Sequence, residues 1–364
     1  MRARALHAKS LSVMPPLAIV RLVRATVMQQ LRLEEALLRS TSRSWFVVGW
    51  DPRGGGPEQD EERAMARPPP LAPPSDGAVA AASSPSSSDD DHPTIVLGIS
   101  GKPRELIDLP LCVQGGGGEG VAPPAAIRRF SGGGTVVVGR GTVLTSLIVS
   151  PEDLALRGVE AFPHPLMRWT AEVYARAFED EEQAESDSEE RQQKSGGASS
   201  SSATTTPQPP RLSLNENDYC FGDLKIAGNA QAITGGRALH HTSFLWDWKP
   251  EHMKLLLSPK RQPEYRRRRA HESFLGRVSS AAASAPHRFP LGAESLARAL
   301  EESVRREWER LGDSVEEADP EELARALRGK HLRGNRWVNL RRELEEEKRE
   351  SGENGAGRRG GAVG

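Results

Sequence analysis

Two arginines followed by three glycines form the run with the clearest chemical potential: IRRFSGGGTVVV covers residues 127–138. Glycines lack a Cβ, so backbone N–H groups can approach a ligand closely, and neighbouring arginines supply fixed charge for a phosphate or carboxylate. The valines that follow are typical of a buried strand, which would hold such a loop in place. The run predicts an anion-binding turn, although ordinary turns share this pattern.

The two best-known phosphate-binding loops do not fit this chain. Residues 96–103, VLGISGKP, lack the first glycine of GxxxxGK[ST] and have Pro103 where the hydroxyl residue is required. In addition, no GxGxxG run follows a strand and opens a helix, as dinucleotide binding requires. An anion at residues 127–138 would therefore be bound by a different arrangement.

A second informative run, NENDYCFGDLKIAGNAQAITGGRALHHTSFLWDW, covers residues 215–248. Its Lys225 lies between a short apolar strand and a Gly-Asn-Ala turn, and a hairpin then returns through HHTSFLW. This position indicates a partly buried ammonium group, with a lysine extending from a strand edge as the structural alternative. His240 and His241 are adjacent, so in a strand they point to opposite faces and cannot bind one metal ion together.

Together the two runs resemble the lipoate-protein ligase A family, within the wider class of biotin and lipoate protein ligases and octanoyltransferases. The RRxxGGG signature of that family stands here as Arg128, Arg129, Phe130, Ser131 and residues 132–134. The later signatures stand as Asn217, Asp218, Lys225, Gly228, Ala230, His240, His241 and Phe244. A plant-type subgroup is the most similar, since its NDYxFGDxKxxGNAQ…HHTSFLWD and YRxxRxHxxF patterns occur at 217–247 and 265–274.

The resemblance implies an α+β fold like that of class II aminoacyl-tRNA synthetases and biotin synthetases, with a mixed, mostly antiparallel sheet flanked by helices. It implies that ATP and Mg²⁺ activate lipoate or octanoate to an acyl-adenylate. The acyl group would then pass to a lysine of a lipoyl carrier domain in 2-oxoacid dehydrogenase complexes or the glycine cleavage H protein.

The resemblance also implies roles for individual residues. Lys225 would be catalytic, with its ammonium against the acyl carbonyl and the phosphate, and Arg129 would face the charge of the adenylate. The implied binding residues are Arg128, Arg129, Ser131, Gly132, Gly133, Gly134, Thr135, Val136, Val137, Asn217, Asp218, Lys225, Gly228, Ala230 and His241. Metal ligands are not assigned by the sequence.

The sequence departs from the family pattern in two places. After the glycines the family has Ala-Val, an aromatic residue, His and Asp, whereas residues 135–139 are TVVVG, so backbone contacts carry over there and side-chain contacts do not. The small C-terminal accessory domain of the larger ligases is replaced by a few helical segments. Activation could therefore need a partner subunit, or the chain could perform transfer alone.

Three alternatives to a ligase follow from the residues. An octanoyl or lipoyl transferase would use a cysteine nucleophile, but Cys220 lies five residues before Lys225 and is interpreted as a core residue. A biotin ligase would have a GRGRxGR-like loop at residues 128–134, whereas this chain has RRFSGGG there. The sequence therefore argues against a biotin ligase. A non-catalytic homologue that binds lipoyl carriers remains open, and retention of Lys225 and both arginines argues against it.

The elements that position these residues follow from hydrophobic periodicity. Strands are predicted at 17–23, 44–50 and 94–100, and Thr26 is predicted to open a helix. Residues 135–138 and 143–149 are predicted to pair as a hairpin through the Gly-Arg-Gly turn at 139–141. Amphipathic helices are indicated by Leu166, Trp169, Val173 and Ala177, and by Leu296, Leu300, Val304, Trp308 and Leu311.

Composition narrows the class of protein. The 364 residues are 37% hydrophobic and 5% aromatic, which suits one core accompanied by disordered sequence. The formal net charge of −1 gives no reason to expect nucleic acid. The basic run YRRRRAHESF, residues 265–274, is interpreted as a solvated helix face, with acidic carrier domains as the alternative partner. No apolar run reaches the ~18–20 residues of a membrane span, and Cys112 and Cys220 indicate neither a disulfide framework nor a zinc site.

Composition also divides the chain. Residues 1–16 are basic and suggest a targeting presequence for a mitochondrion or plastid, with a cytoplasmic protein as the alternative. The catalytic domain is expected at 17–344, interrupted by disordered surface insertions at 51–93 and 179–210. Residues 345–364 are expected to form a disordered tail.

Overall fold

The computed structural model describes residues 14–54, 92–114, 123–179, 211–283, 289–329, 332 and 334–356. The predicted presequence, the two predicted insertions and the end of the predicted tail lie mainly outside these residues. Within them the chain is a mixed α+β fold, as the sequence predicted. Its two sheets carry both of the motif-bearing runs.

The strands are, in chain order, β1 (Leu17–Val23), β2 (Trp45–Trp50), β3 (Thr94–Leu97), β4 (Ala125–Arg128), β5 (Gly132–Gly133), β6 (Val136–Val138), β7 (Thr142–Val149), β8 (Leu212–Asn215), β9 (Asp218–Phe221), β10 (Leu224–Thr234), β11 (Arg237–Leu245), β12 (Val315–Glu317) and β13 (Arg336–Trp337). The α-helices are α1 (Val27–Ser40), α2 (Pro103–Leu106), α3 (Leu109–Gln114), α4 (Pro151–Leu156), α5 (Pro163–Ala175), α6 (Pro250–Met253), α7 (His271–Phe274), α8 (Val278–Ala282), α9 (Ala293–Glu309), α10 (Pro320–Leu327) and α11 (Leu340–Ala356).

The large sheet has the strand order β12-β1-β2-β7-β11-β10-β9-β8, and β5 also pairs with β10. The small sheet has the order β13-β4-β3-β6. In the described residues, parallel pairing is confined to β1 with its two neighbours and to β3 with β4, while the other pairs are antiparallel. The predicted mixed, mostly antiparallel sheet is therefore confirmed.

Both faces of the large sheet are covered, which explains why its central strands β2 and β7 are buried along their whole length. On one face Phe46 packs with Leu300 and Trp308 of α9. On the other face Trp45 and Val47 pack with residues of α1 and α10. Successive side chains of β2 thus enter opposite cores, as the two-residue period of a strand requires.

Helix α1 begins where the sequence predicted. The hydroxyl of Thr26 accepts from the Gln29 N–H at 3.3 Å, and the Gln29 side chain accepts from the Thr26 N–H at 2.8 Å. This reciprocal pair satisfies backbone donors that have no partner within the helix. It fixes the start of α1, the helix that forms one wall of the candidate site described below.

The predicted hairpin through residues 139–141 is wrong. Strand β6 pairs with β3 in the small sheet, whereas β7 pairs with β2 and β11 in the large sheet. The segment is anchored across sheets because Asp247 N–H donates to the Gly141 carbonyl at 3.0 Å. The Gly-Arg-Gly turn therefore carries the chain from one sheet to the other.

The prediction of a disordered tail over residues 345–364 is wrong for the part of it that the structure describes. Helix α11 extends to Ala356, so residues 345–356 are helical, and residues 357–364 lie outside the described part. Arg104 explains the docking of this helix, since it forms ion pairs with Glu343, Glu346 and Glu350. Acidic composition alone suggested disorder, but these carboxylates face a cation of α2.

No helix of the described residues is long and apolar enough to cross a membrane.

Burial of His240 predicts an acid-sensitive fold. The ring is fully buried, bonded to Tyr219 and Gln231, and burial, followed by the nearby His241, lowers the pKa of His240 to about 3. In the unfolded chain His240 binds a proton with a pKa of ~6.5. The stabilisation that neutral His240 gives to the folded state is therefore complete above that pH and is lost as pH falls toward the folded-state pKa.

Urea unfolding at several pH values should show this contribution. Between about pH 5 and 6, the wild-type free energy of unfolding should fall by about 1 kcal/mol per pH unit more steeply than that of His240→Asn. Equal slopes in the two proteins would contradict the assignment.

Candidate functional site

The glycine loop and the lysine strand are direct neighbours. Gly132 and Gly133 of β5 pair antiparallel with Gln231 and Ala230 of β10. Gly133 has φ +121°, and a Cβ there would lie 2.7 Å from the Asn229 carbonyl oxygen. Only glycine fits this position, since a side chain would meet both backbone strain and overlap. The two runs that the sequence singled out thus form one structural unit.

Both arginines of the motif hold backbone carbonyls. Arg129 is 2% exposed and donates to the carbonyls of Val96 (3.3 Å), Gly132 (3.3 Å) and Gly134 (2.7 Å). Burial lowers the pKa of Arg129 to about 10, which still leaves it charged at neutral pH. Arg128 donates to the carbonyl of Gly101. The Arg129 guanidinium therefore fixes the glycine loop from its buried side, and Arg128 fixes the neighbouring turn at Gly101.

This arrangement fixes the direction of one peptide group. Because a trans peptide places C=O and N–H on opposite sides, the Gly134 carbonyl that faces Arg129 turns the Thr135 N–H away from it. The loop can present that donor to a ligand while its carbonyls remain satisfied.

Lys225 is held in place by an ion pair. Its Nζ lies 2.8 Å from Asp218 Oδ1, and the other carboxylate oxygen of Asp218 accepts from the Tyr265 hydroxyl at 2.8 Å. A bulge between Lys225 and Ala227 interrupts the pairing of β10 with β9. The lysine side chain is 21% exposed, and its ammonium lies over Gly228, where an added Cβ would be 3.5 Å from Nζ.

The remaining predicted residues of the second run lie close to this lysine. Ala230 is the pairing partner of Gly133. Asn217 is exposed, and its carbonyl accepts from the Asn229 side chain at 3.0 Å, which ties the strand end to β10. The structure therefore gathers the predicted residues of β9 and β10 around the glycine loop.

His241 belongs to a buried polar cluster that the sequence did not reveal. Its Nδ1 lies 2.9 Å from Glu34 Oε1 and 3.0 Å from Ser146 Oγ, and Ser146 donates to the same carboxylate oxygen at 2.7 Å. His240 faces the opposite side and bonds to Tyr219 at 3.0 Å, as the strand period predicted. Glu34 is 207 residues away from His241 in the chain, so no local pattern connects them.

A cavity of about 20 Å³ lies between the loop, β10, β11 and α1. Its lining is Val27, Leu31, Val96, Arg129, Val136, Val138, Leu144, Gly228, Asn229, Ala230, His241 and Ser243. This volume admits about one water molecule, so a longer ligand requires a wall to move. Val137, predicted as a site residue, instead packs in a core cluster with Ile95 and Leu245, because alternate residues of β6 face opposite sides.

Polar atoms without partners concentrate around the loop. Of the eleven buried side-chain atoms without a hydrogen-bond partner in the described part of the protein, four lie on the loop or beside His241: Arg129 Nε, Ser131 Oγ, Thr135 Oγ1 and Glu34 Oε2. A buried polar group left unpaired costs about 1–3 kcal/mol. Arg129 lines the cavity, and the other three atoms belong to the adjoining loop and to the partner of His241, so the surroundings of the cavity suit a polar ligand.

The basic run at 265–274 contributes to the site, contrary to its interpretation as a solvated helix face. Arg266 is 4% exposed, and its guanidinium lies 4.9 Å from the Phe274 ring centroid. Burial, then the charges of Arg266 and Lys225, lower the pKa of His271 to about 4. The Gly276 N–H donates to the Lys225 carbonyl at 2.8 Å, so the segment encloses the lysine strand. Of the four arginines in the run, Arg267 and Arg268 are exposed as expected.

Neither cysteine has the character of a nucleophile. Burial raises the pKa of Cys220 to about 11 and that of Cys112 to about 12. Both thiols are therefore protonated at neutral pH, and both side chains are inaccessible. This agrees with the interpretation of Cys220 as a core residue.

The fold and the site define a class of protein: an α+β domain in which an arginine-anchored glycine loop and a lysine strand enclose one cavity. The chain belongs to the family of the lipoyl protein ligase A/B catalytic domain, which matches residues 90–304 and thus more than half of the chain.

Known relatives agree with this family. The Inactive lipoate--protein ligase 2 of Plasmodium falciparum (isolate 3D7) is 27% identical over 164 residues, which are 41% of this chain and 39% of that protein. The chain thus matches well under two thirds of that relative's length.

Solved structures of similar overall arrangement include three lipoate-protein ligases. Lipoate-protein ligase A bound with ATP is 15% identical, with 88% and 96% of the two chains covered and a TM-score of 0.48. The bi-partite ligase of Thermoplasma acidophilum, described with its E2 lipoyl domain, is 14% identical, with 88% and 94% covered and a TM-score of 0.49. P. falciparum LipL1 in complex with lipoate is 12% identical, with 85% and 70% covered and a TM-score of 0.48.

The geometry of the loop predicts unequal tolerance of its glycines. Gly133→Ala should lower the free energy of unfolding by at least about 2 kcal/mol, because it adds strain at positive φ and overlap with β10. Gly134→Ala is the matched control, since nothing lies within 4 Å of its Cβ position.

Denaturant unfolding of both variants measures the difference. A Gly133→Ala protein as stable as Gly134→Ala would show that β5 does not pair as described.

Proposed function

We propose that the chain is a lipoate-protein ligase that uses ATP to convert lipoate or octanoate to an acyl-adenylate and then acylates a lysine of a lipoyl carrier domain. The observation that supports this most strongly is the pairing of the glycine loop with the Lys225 strand beside a small cavity, with four unpaired polar atoms on the loop and next to His241. Family membership supports the same chemistry.

In the first step, a carboxylate oxygen of the fatty acid attacks the α-phosphorus of ATP, and pyrophosphate leaves with the electrons of the broken P–O bond. The Lys225 ammonium stabilises the negative charge that grows on the phosphoryl oxygens. Asp218 holds Nζ over Gly228, a residue that lines the cavity. In the second step, the neutral amine of a carrier lysine attacks the acyl carbonyl, AMP leaves, and the amine loses its proton.

Magnesium would arrive with ATP and neutralise charge on the phosphates. Such an ion needs only one or two protein carboxylates, because phosphates and water supply the other ligands. Asp218 fits this requirement, since each of its oxygens keeps acceptor capacity beyond the bonds to Lys225 and Tyr265. The described residues contain no group of three or more side chains suited to a dedicated metal site.

The proposed partners are the carrier domains of 2-oxoacid dehydrogenase complexes and the H protein. A structure of the Thermoplasma acidophilum ligase includes an E2 lipoyl domain, which supports this class of partner by analogy. Placement in a mitochondrion or plastid is part of the proposal and depends on the basic sequence of residues 1–16.

Two alternatives differ in their support. A transferase with a thiol nucleophile is disfavoured because the thiols of Cys112 and Cys220 are buried and have raised pKa values. A homologue without catalytic activity is favoured by one observation, the name Inactive lipoate--protein ligase 2 of a relative.

Activity assays separate these possibilities. Purified protein with lipoate, ATP, Mg²⁺ and an apo lipoyl domain should release pyrophosphate and increase the carrier mass by one lipoyl group. The variant Cys112→Ser/Cys220→Ser should retain this activity because neither thiol takes part. Transfer from an octanoyl-carrier without ATP, lost in Cys220→Ser, would establish the transferase instead, and no product from either donor would favour the non-catalytic homologue.

Lys225 carries the sharpest prediction about mechanism. Lys225→Met keeps most of the apolar stem and removes the charge, so the protein should fold while adenylate formation falls by about 10²–10³-fold. Lys225→Arg should not restore the rate, because a planar guanidinium does not occupy the place of a compact ammonium.

Lys254→Met, at an exposed lysine outside the site, is the matched control. Single-turnover formation of lipoyl-adenylate measures the effect, with circular dichroism as the test of folding. A folded Lys225→Met protein with the wild-type rate would refute the role of this residue.

A further inference from the structure

A short segment near the C-terminus contacts the glycine loop from outside the matched catalytic domain. Residues 334–337, here called the C-terminal clasp, follow α10 and precede α11. Arg336 and Trp337 of β13 pair with Arg128 and Ile127 of β4. The clasp therefore extends the small sheet on the strand that leads directly into the loop, although the family match ends at residue 304.

Asn335 is the residue of the clasp that joins two walls of the site. It is 5% exposed, and its Oδ1 accepts from the Phe130 N–H at 3.1 Å. Its Nδ2 donates to the Leu31 carbonyl at 2.9 Å and to Glu35 Oε2 at 3.0 Å. One amide side chain thus bonds to the loop at Phe130 and to α1 at Leu31 and Glu35.

The turn of α1 that Asn335 contacts also faces the cavity. Leu31 lines the cavity, and Glu34 holds His241. Glu35 is fully buried and accepts from the Gly334 N–H at 3.1 Å and from Arg39 at 3.0 Å. The carboxylate is satisfied by the clasp and by its own helix, so its position depends on the clasp.

Gly334 shows how closely the clasp approaches. A Cβ at this position would overlap both the Phe130 Cβ and the Glu35 carboxylate. The backbone of the clasp therefore reaches the loop and the helix only because residue 334 is glycine.

We propose that Asn335 is a positioning residue that sets the separation of the glycine loop and helix α1, and with it the fit of the cavity to an acyl-adenylate. Phe130 lies between Arg129 and Ser131, so a shift of its backbone moves both the buried guanidinium and an unpaired hydroxyl. This inference rests on the proposed function of the site.

Two measurements test the proposal in the full chain. In Asn335→Ala, the Phe130 amide should exchange with solvent at least about tenfold faster in the ligand-free protein, because it loses its acceptor. The affinity for the non-hydrolysable analogue lipoyl-sulfamoyl-adenosine should fall about tenfold or more, with a raised KM for ATP and a smaller change in kcat.

Asn339→Ala is the matched control. Asn339 follows the clasp by two residues, and its side chain accepts from the Arg342 N–H at 3.1 Å at the start of α11. It should leave both the Phe130 exchange rate and the analogue affinity at wild-type values.

A reciprocal exchange provides rescue and covers the case in which Asn335→Ala does not fold. Asn335→Asp places carboxylate oxygens against Glu35 and the Leu31 carbonyl and should weaken analogue binding, whereas Asn335→Asp/Glu35→Gln restores the donor between residues 335 and 35, leaves the Leu31 carbonyl without its donor, and should recover part of the affinity. Wild-type exchange and affinity in a folded Asn335→Ala, or no recovery in the double variant, would overturn the proposal.

The outcomes distinguish this inference from the proposed function. If wild-type protein does not bind the analogue, the proposed function fails. The inference is then decided only by the exchange rate of the Phe130 amide in Asn335→Ala and in the double variant. Should wild-type protein bind it and Asn335→Ala bind equally well, the function stands and the inference fails.

Discussion

The antiparallel pairing of Gly132–Gly133 with Ala230–Gln231 is the constraint on which the rest of the site depends. It joins two sheets, because β4 enters the loop from the small sheet while β10 belongs to the large one. It also places the Arg129 loop beside the strand that carries Lys225. Without this pairing the buried Arg129 guanidinium would lose two of its three carbonyl acceptors, those of Gly132 and Gly134.

Burial then determines which groups can take part in chemistry. The same desolvation that raises the pKa of Cys220 and lowers the pKa of His271 leaves an uncharged thiol and an uncharged imidazole beside Lys225 at neutral pH. The positive charge beside Asp218 comes instead from Lys225 and Arg266. Such an arrangement favours an anionic ligand.

The sequence predicted the parts of the site that local patterns encode. Glycines, a flanked lysine and strand periodicity located the loop, Lys225 and the opposite orientations of His240 and His241. Contacts between distant segments were missed, because Glu34, Arg266 and Asn335 lie in stretches whose local pattern indicates only a helix, a basic run or a loop. Asn335, for example, is separated by 205 residues from the Phe130 amide that it accepts from.

The incorrect hairpin has the same physical origin. A strand, a short glycine turn and a second strand favour local pairing, since a short loop has the lowest closure cost. Strand β6 instead pairs with β3, whose register Val96↔Val136 spans 40 residues. What decides the choice is burial: Val137 fills a core under the small sheet, and all eight residues of β7 are buried in the large one. Neither the burial of Val137 nor that of β7 can be predicted from the sequence of the turn.

These constraints also identify the wall that can yield to a ligand. The loop is fixed by the hydrogen bonds of Arg129, by the close backbone contact at Gly133 and by its pairing with β10, while Asn335 ties α1 to the loop. Strand β6 is different, because in the described residues it has three residues and pairs along one edge only, with β3. It supplies Val136 and Val138 to the cavity. A ligand larger than one water molecule therefore meets least resistance under β6, where displacement breaks the fewest hydrogen bonds and leaves the polar side of the site intact.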